Sequence, residues 1–423
     1  MRVSIQLFYT WLCLLLLACL LIPPLYPAIF GGRVPLYAAN FVFVAGALVY
    51  LRKSNLMSVM SDRVLKSGFA FLMVLALSLS FAWWHSGPMI ASQALLRYCL
   101  VCQPFLVYWL VKSSPAFRDD TRLKSFAQFL FWVSVFAALY GIVEFYWPNP
   151  FPHPFAEQYI YLKGKIVRRA QGVFYESSSF GNLCAFFVSL SLCLTLSFRS
   201  RIPRRQQLAL FVFGGIYVVA LFLSYSRGSW LAVLVTLTIF LFLHPPTRLQ
   251  DVFIAALLIS VPILILTMVS PEIVSIFFNR RLGAIAEFST NPNYATSGRW
   301  GSWSSLIKYF SDHSWLLLFG IGYKTLPYTP LFGRKIIADN GYLSMLFECG
   351  VVGLGTFLWL NLSLLRTFQK VRQLRDPIRN FAGTFMIAFW CGEMAQLFTG
   401  DIFTYWRNLV LFFAVAAAIQ QAE

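Results

Sequence analysis

The sequence predicts an all-α polytopic membrane protein, and three observations carry that expectation. The chain has 423 residues, 59% of them hydrophobic and only 12% charged, whereas a soluble domain carries about 25% charged residues. Apolar runs long enough to cross a bilayer, which takes roughly 20 residues, recur from end to end. Such runs must be helices, because lipid offers no partner to an unpaired backbone amide. Finally, Lys and Arg concentrate in alternate loops, as the positive-inside rule requires.

Twelve spans are expected, at about 7–27, 35–51, 67–84, 93–112, 125–147, 179–198, 208–225, 228–244, 252–269, 341–363, 381–398 and 404–421. Arg2, Arg52, Lys53, Arg63, Lys66, Lys112, Arg118, Arg122, Lys124, Arg199, Arg201, Arg204, Arg205, Arg248, Arg366, Lys370, Arg372, Arg375 and Arg379 fall on one side, 19 of the 34 basic residues. The opposite short loops hold only Arg33, Arg227 and Arg407. Both termini are therefore expected in the cytoplasm. The first span has no small-residue cleavage site after it, so it reads as a membrane helix and not a signal peptide. The chain reads as one membrane domain, 1–423, without internal repeats or low-complexity stretches. Two long loops, 148–178 and 270–340, face outward.

The net charge of +18 would suggest nucleic acid in a soluble protein. Here the charge flanks apolar spans, so the lipid bilayer is the expected partner and nucleic acid is not. The eight cysteines lie mostly inside spans and read as small hydrophobes. No Asp-x-Asp cluster stands on the outer side, and neither a metal nor a cofactor is expected.

The outer loops nevertheless carry many cations: Lys163, Lys165, Arg168 and Arg169 in the first, and Arg280, Arg281, Arg299, Lys308, Lys324, Arg334 and Lys335 in the second. Long loops escape the positive-inside rule, so topology does not require these charges. A basic set at headgroup level suits a phosphate-bearing lipid, since arginine pairs bidentately with phosphate oxygens; ordinary headgroup contact is the bland alternative. Arg227 stands out, because a near-zero-length turn puts it at the membrane boundary, where charge is costly unless paired. Arg97 lies about one turn inside its span, where it can snorkel outward or reach a lipid phosphate. Glu144 and Glu393 lie in spans, where carboxylates are functional candidates by default; pairing with Arg97 or Arg407 would explain them equally well. His313 reads as a structural loop residue.

These residues resemble a family. Leu223-Ser-Tyr-Ser-Arg227-Gly-Ser-Trp is similar to the SRG segment of the O-antigen ligase and O-antigen polymerase superfamily. Ser297-Gly-Arg299-Trp resembles its GR element, and Gly320-Ile-Gly322-Tyr its GxG turn. Asp339-Asn340-Gly-Tyr342-Leu, continuing to Glu348-Cys-Gly350-Val-Val-Gly353, resembles its HNxYLxxLxExGxxG segment. Arg169-Ala-Gln-Gly172-Val-Phe174-Tyr-Glu176-Ser-Ser-Ser-Phe180 is similar to the RxxGxFxEPxxF pattern of exopolysaccharide polymerases. The motifs cover about residues 165–355.

The resemblance implies a GT-C-like inner-membrane glycosyltransferase, of hexosyltransferase type and metal-independent, with a periplasmic cap built from the two loops. Its donor would be an undecaprenyl-pyrophosphate-linked glycan. The acceptor would be a glycan, or lipid A-core in a ligase, with a flippase and a chain-length regulator as candidate partners. Asp339, Arg227 and Arg299 are the expected catalytic residues; Arg169, Glu176, Asn340, Tyr342 and Arg97 are expected to bind substrate. The arginines would stabilise the departing pyrophosphate. Asp339 is the first candidate for general base and Glu176 the second, with a helix cap as the structural alternative for Asp339. Ligases of the family carry His where Ala338-Asp339-Asn340 stands here, and this departure favours polymerisation over ligation. A lipid-glycan flippase or transporter is the rival of another class. It should show broken helices and polar groups at the bilayer midplane. A scaffold protein would leave Arg169, Arg227 and Arg299 unexplained.

Overall fold

The computed structural model describes all residues except 1, 26–27, 30–31, 34–35, 52–60, 148–157, 163–164, 199–201, 246–247, 279–286, 297, 334–335 and 422–423. Lys163, Arg280, Arg281, Arg334, Lys335, His153, Arg52, Lys53, Arg199 and Arg201 therefore lie outside the described residues. Each expected span is helical: α1 (Arg2–Leu21), α2 (Ala38–Tyr50), α3 (Arg63–Ser86), α4 (Pro88–Ser113), α5 (Asp120–Tyr146), α6 (Ser177–Phe198), α7 (Arg204–Leu223), α8 (Arg227–Leu243) and α9 (Leu249–Val269). Among the described residues, the longest helix of the second long loop is α10 (Arg299–Asp312). Then follow α11 (Gly341–Arg372), α12 (Pro377–Gln396) and α13 (Trp406–Ala418). Seven of these helices (α3 to α7, α9 and α11) are long and apolar enough to cross a membrane. Among the described residues, strand is confined to two short antiparallel pairs, Ala28–Ile29 with Gly32–Arg33 and Tyr159–Leu162 with Lys165–Arg168.

α6 is the central helix, buried along 89% of its most apolar stretch, whereas α9 is peripheral at 17%. A polar chain clasps the helices around α6. Asn182 Nδ2 donates to both Glu393 oxygens (2.8 and 2.9 Å), and Asn408 Nδ2 donates to Asn182 Oδ1 (2.9 Å). Glu393 thus takes its hydrogen bonds from Asn182, which corrects the expectation of an arginine partner.

The first helix ends short of the expected span at 7–27. α1 ends at Leu21, because Pro23 and Pro24 cannot continue a helix. Its orphan carbonyls are taken by Arg407, buried at the start of α13. The Arg407 guanidinium donates to the carbonyls of Ala18, Cys19 and Ile22, and to that of Val173. Arg407 is therefore a structural clasp of the helix end.

α11 is also not one continuous span. Gly350 has φ 70 and ψ −173, which breaks the helix. In an unbroken helix the carbonyls of Phe347 and Glu348 would be taken by residues four further on. Here they accept Ile321 N–H (3.1 Å) and Gly322 N–H (2.9 Å) instead. A Cβ on Gly350 would sit 2.2 Å from Leu318 O, so both the break and the close approach require glycine. A broken helix is one feature expected of a transporter, but this break seats a loop turn.

That turn shares a second, smaller core with α10 and the first turns of α11. Leu306, Phe310, Leu316, Ile321, Leu326, Ile336, Ala338 and Phe347 form it. This satellite core fixes α10, and Arg299 at its start, against the beginning of α11.

Candidate functional site

The first long loop is anchored by Glu144. This buried carboxylate pairs with Arg168 and accepts Gln171 N–H (3.3 Å) and Gly172 N–H (3.4 Å). Gly172 has φ +57, and a Cβ there would meet the Phe180 ring at 3.1 Å. The anchor presents Arg169 to the end of α7. Ala170 N–H donates to Leu223 O (3.0 Å), and Arg169 Nε donates to Ser224 O (2.9 Å). Glu144 was expected to pair with Arg97 or Arg407; its role as loop anchor with Arg168 corrects that expectation.

Arg227 opens α8. Ser226 caps that helix, its Oγ accepting Ser229 N–H. Arg227 Nη1 reaches across to Ala295 O (3.2 Å), tying the serine-arginine turn to the second outer loop. Arg299 follows Gly298, which has φ 85. Arg299 Nε donates to Asp339 Oδ2 at 3.2 Å. Trp303 Nε1 donates to Ala338 O (2.6 Å), holding α10 beside the residue that precedes Asp339.

Asp339 has φ 43 and half of its side chain is exposed. It does not cap α11. Asn340 does, its Oδ1 accepting Tyr342 N–H (3.1 Å) and Leu343 N–H (3.0 Å). The capping alternative for Asp339 is thereby corrected by one residue. Left-handed backbone suits Asp, Asn and His better than other non-glycine residues, a physical reason for Asp at this position.

Asn340 and Tyr342, expected to bind substrate, are committed to building the site. Tyr342 Oη donates to Met394 O (2.8 Å), and Gly341 N–H donates to Leu397 O (2.7 Å). These bonds dock the start of α11 on the end of α12 and the segment that follows it, which brings in two residues that the sequence does not single out. Asp401 forms an ion pair with Lys324, both side chains nearly buried. Burial opposes the Lys324 charge, but Asp401 and Glu348 together hold its ammonium above the usual lysine range. The buried Tyr405 hydroxyl lies beside Ser178 and in the field of Glu176, Asp339 and Asp401. Nothing in the local sequence marks Asp401 or Tyr405; their place follows from docking. Arg97 reaches the same region. Its Nη1 donates to Lys324 O (3.1 Å), its Nη2 to Tyr328 Oη (2.8 Å). His313 ends α10, stacked on Tyr309 with ring centroids 4.5 Å apart, a structural position as expected.

The result is one cluster. Arg169 lies within electrostatic reach of Glu176, Arg299 and Asp339, Glu176 within that of Asp339, and Arg227 within that of Arg299. Burial pushes Arg169 down to about 10, aided by Arg299 and opposed by Tyr405, Glu176 and Asp339; it stays cationic at neutral pH. Burial pushes Glu176 up to about 7. Asp339 and Asp401 add to the rise, and Lys324 and Arg169 oppose it. Three guanidiniums around partly dry carboxylates can bind a polyanion and take up a proton beside it. Among the described residues no group of His, Cys, Asp and Glu is spaced to hold a metal ion.

Residues 209–358 match the family described as O-antigen ligase. The match contains Arg227, Arg299, Lys324 and Asp339, and leaves Arg169, Glu176 and Asp401 outside it. No curated protein matches the chain.

Proposed function

Since residues 209–358 carry the O-antigen ligase domain, the chain is a member of the O-antigen ligase and polymerase superfamily, and we propose that it polymerises a surface polysaccharide from undecaprenyl-pyrophosphate-linked repeat units. The gathering of Arg169, Arg227 and Arg299 from three separate segments carries this reading. A pyrophosphate is the ligand whose charge and oxygen geometry three guanidiniums satisfy.

In this reading a hydroxyl oxygen of the acceptor glycan attacks the anomeric carbon of the donor. The bond from that carbon to the phosphate oxygen breaks, and its electron pair leaves with the lipid pyrophosphate. Negative charge gathers on the leaving group, where the fixed arginines stabilise it without reorganising. Direct displacement inverts the anomeric centre. The arginines supply the charge that a metal ion supplies in other phosphate-releasing enzymes. All twelve apolar helices cross the inner membrane, both termini are cytoplasmic, and the two long outer loops form a periplasmic cap in a GT-C-like enzyme.

Polymerisation is favoured over ligation by Asp339, which stands where ligases of the family carry His. Ligation to lipid A-core is the second reading, favoured by the family description itself. The glycan profile of a deletion strain separates them. Single repeats still attached to the core, with long chains lost, are expected. Loss of every attached repeat, with polymer accumulating on the carrier, identifies a ligase. An unchanged profile refutes both.

A further inference from the structure

The carboxylates of the cluster differ in one respect. Asp339 is paired with Arg299, and Asp401 is paired with Lys324. Glu176 alone of the three has no hydrogen-bond or ion-pair partner for its carboxylate among the described residues. It is half-buried, and neither oxygen is among the fully enclosed atoms that lack a partner, so the carboxylate is not sealed inside the protein.

The backbone around it is firmly held. The Glu176 carbonyl accepts Ser179 N–H (3.0 Å) and Phe180 N–H (3.1 Å) in the first turn of α6. Gln158 Oε1 takes Ser177 N–H (3.0 Å) and Ser177 Oγ–H (2.6 Å), and Gln171 Nε2 donates to Tyr175 O (2.7 Å). A side chain on so fixed a backbone, left without an internal partner, is placed for something outside the protein.

We propose that Glu176, and not Asp339, is the general base that receives the acceptor's proton. The inference rests on the glycosyltransferase reading above. The acceptor oxygen forms its bond to the anomeric carbon as its proton passes to a Glu176 oxygen. The carbon–oxygen bond to the carrier breaks, and the pyrophosphate leaves with the electron pair. Glu176 afterwards returns the proton to water, and no further reactant is needed. Asp339 instead orients Arg299 toward the leaving group.

The charged and titratable groups facing Glu176 come from every element around it. They are Arg169 and Tyr175 on its own loop, Asp339 and Lys324 from the second outer loop, and Asp401 and Tyr405 from the segment before α13. Tyr37, at the start of α2, also feels its charge. Burial and the carboxylates outweigh the cations and hold Glu176 near 7. A base there is charged above that pH and protonated below it, so the rate should rise with pH through about 7 and then level off.

The test uses membranes of a deletion strain, whose own accumulated lipid-linked glycan serves as donor and acceptor, with the full chain supplied as wild type or variant. Release of carrier pyrophosphate and glycan elongation are followed against pH. Glu176→Gln at matched expression is expected to lose at least about 100-fold in rate, to lose the rising limb, and to keep the KM for the lipid-linked glycan. Glu176→Asp covers the case that the Gln variant does not insert. It should keep the rising limb at a rate reduced at least about tenfold. A wild-type rate and limb in Glu176→Gln, or a lost limb in Glu176→Asp, overturns the assignment while leaving the function intact. Wild-type chain that releases no carrier pyrophosphate overturns both.

Discussion

Replacing Asp339 by Asn and by Ala separates three roles that one residue could hold. The helix cap is not among them, because Asn340 fills it and neither replacement touches it. The ion pair with Arg299 is lost in both variants. Its side chains are 26% and 48% exposed, so its loss should cost only about 0.5 kcal/mol. The backbone distinguishes the two. Residue 339 has φ 43, which Asn tolerates and Ala resists at about 1–2 kcal/mol. Unfolding of the full chain in detergent should therefore place Asn within about 0.5 kcal/mol of wild type and Ala about 2 kcal/mol below it. Equal losses would refute the role given to the left-handed backbone. Activity adds an independent reading. Asp339 raises the Glu176 carboxyl, so Asp339→Asn should move the rising limb of the pH profile toward lower pH. A limb that stays in place refutes that electrostatic link. An intact Asn variant without activity at any pH would return the base to Asp339 and refute the assignment of Glu176.

Arg227→Ala and Arg299→Ala should abolish product in membranes while the chain still inserts. Their Lys variants should recover little, since an ammonium lacks the guanidinium fork; full activity in the Lys variants rules out a phosphate clamp. Asp401→Asn should cost about 3–5 kcal/mol in denaturant unfolding, because it leaves buried Lys324 unpaired. The apolar double variant Lys324→Met/Asp401→Leu should recover much of that loss, and a double variant as unstable as the single one would refute it. Ser289, exposed in the second outer loop, should as Ser289→Cys react with an impermeant thiol reagent from the periplasmic side. Reaction only after the inner leaflet is opened inverts the topology and removes the site from the outer face.

Sequence alone determined that the chain is helical and built for lipid, because a bilayer leaves the backbone a single solution for a long apolar run. It also singled out Arg227, whose charge sits in a tight turn at the membrane boundary, and motif resemblance added Arg169 and Arg299 from a larger set of loop cations. What those residues touch was decided only by tertiary structure. Glu144 could be seen in a span, but its hold on the loop at 168–172 depends on chain segments that meet only on folding. Asn340 and Tyr342 carry a family motif, yet Asn340 caps α11, while the Tyr342 hydroxyl and the Gly341 amide dock that helix start on Met394, Leu397 and Gly400 and so bring Asp401 into the site. Gly350 could be seen, but not that its helix breaks so that Phe347 and Glu348 can hold the Gly320–Gly322 turn. The choice between Asp339 and Glu176 was likewise closed to the sequence. Both are carboxylates on outer loops, and what separates them is which one has its charge already answered. That depends on an arginine forty residues away along the chain, whose guanidinium lies 3.2 Å from Asp339 in the fold.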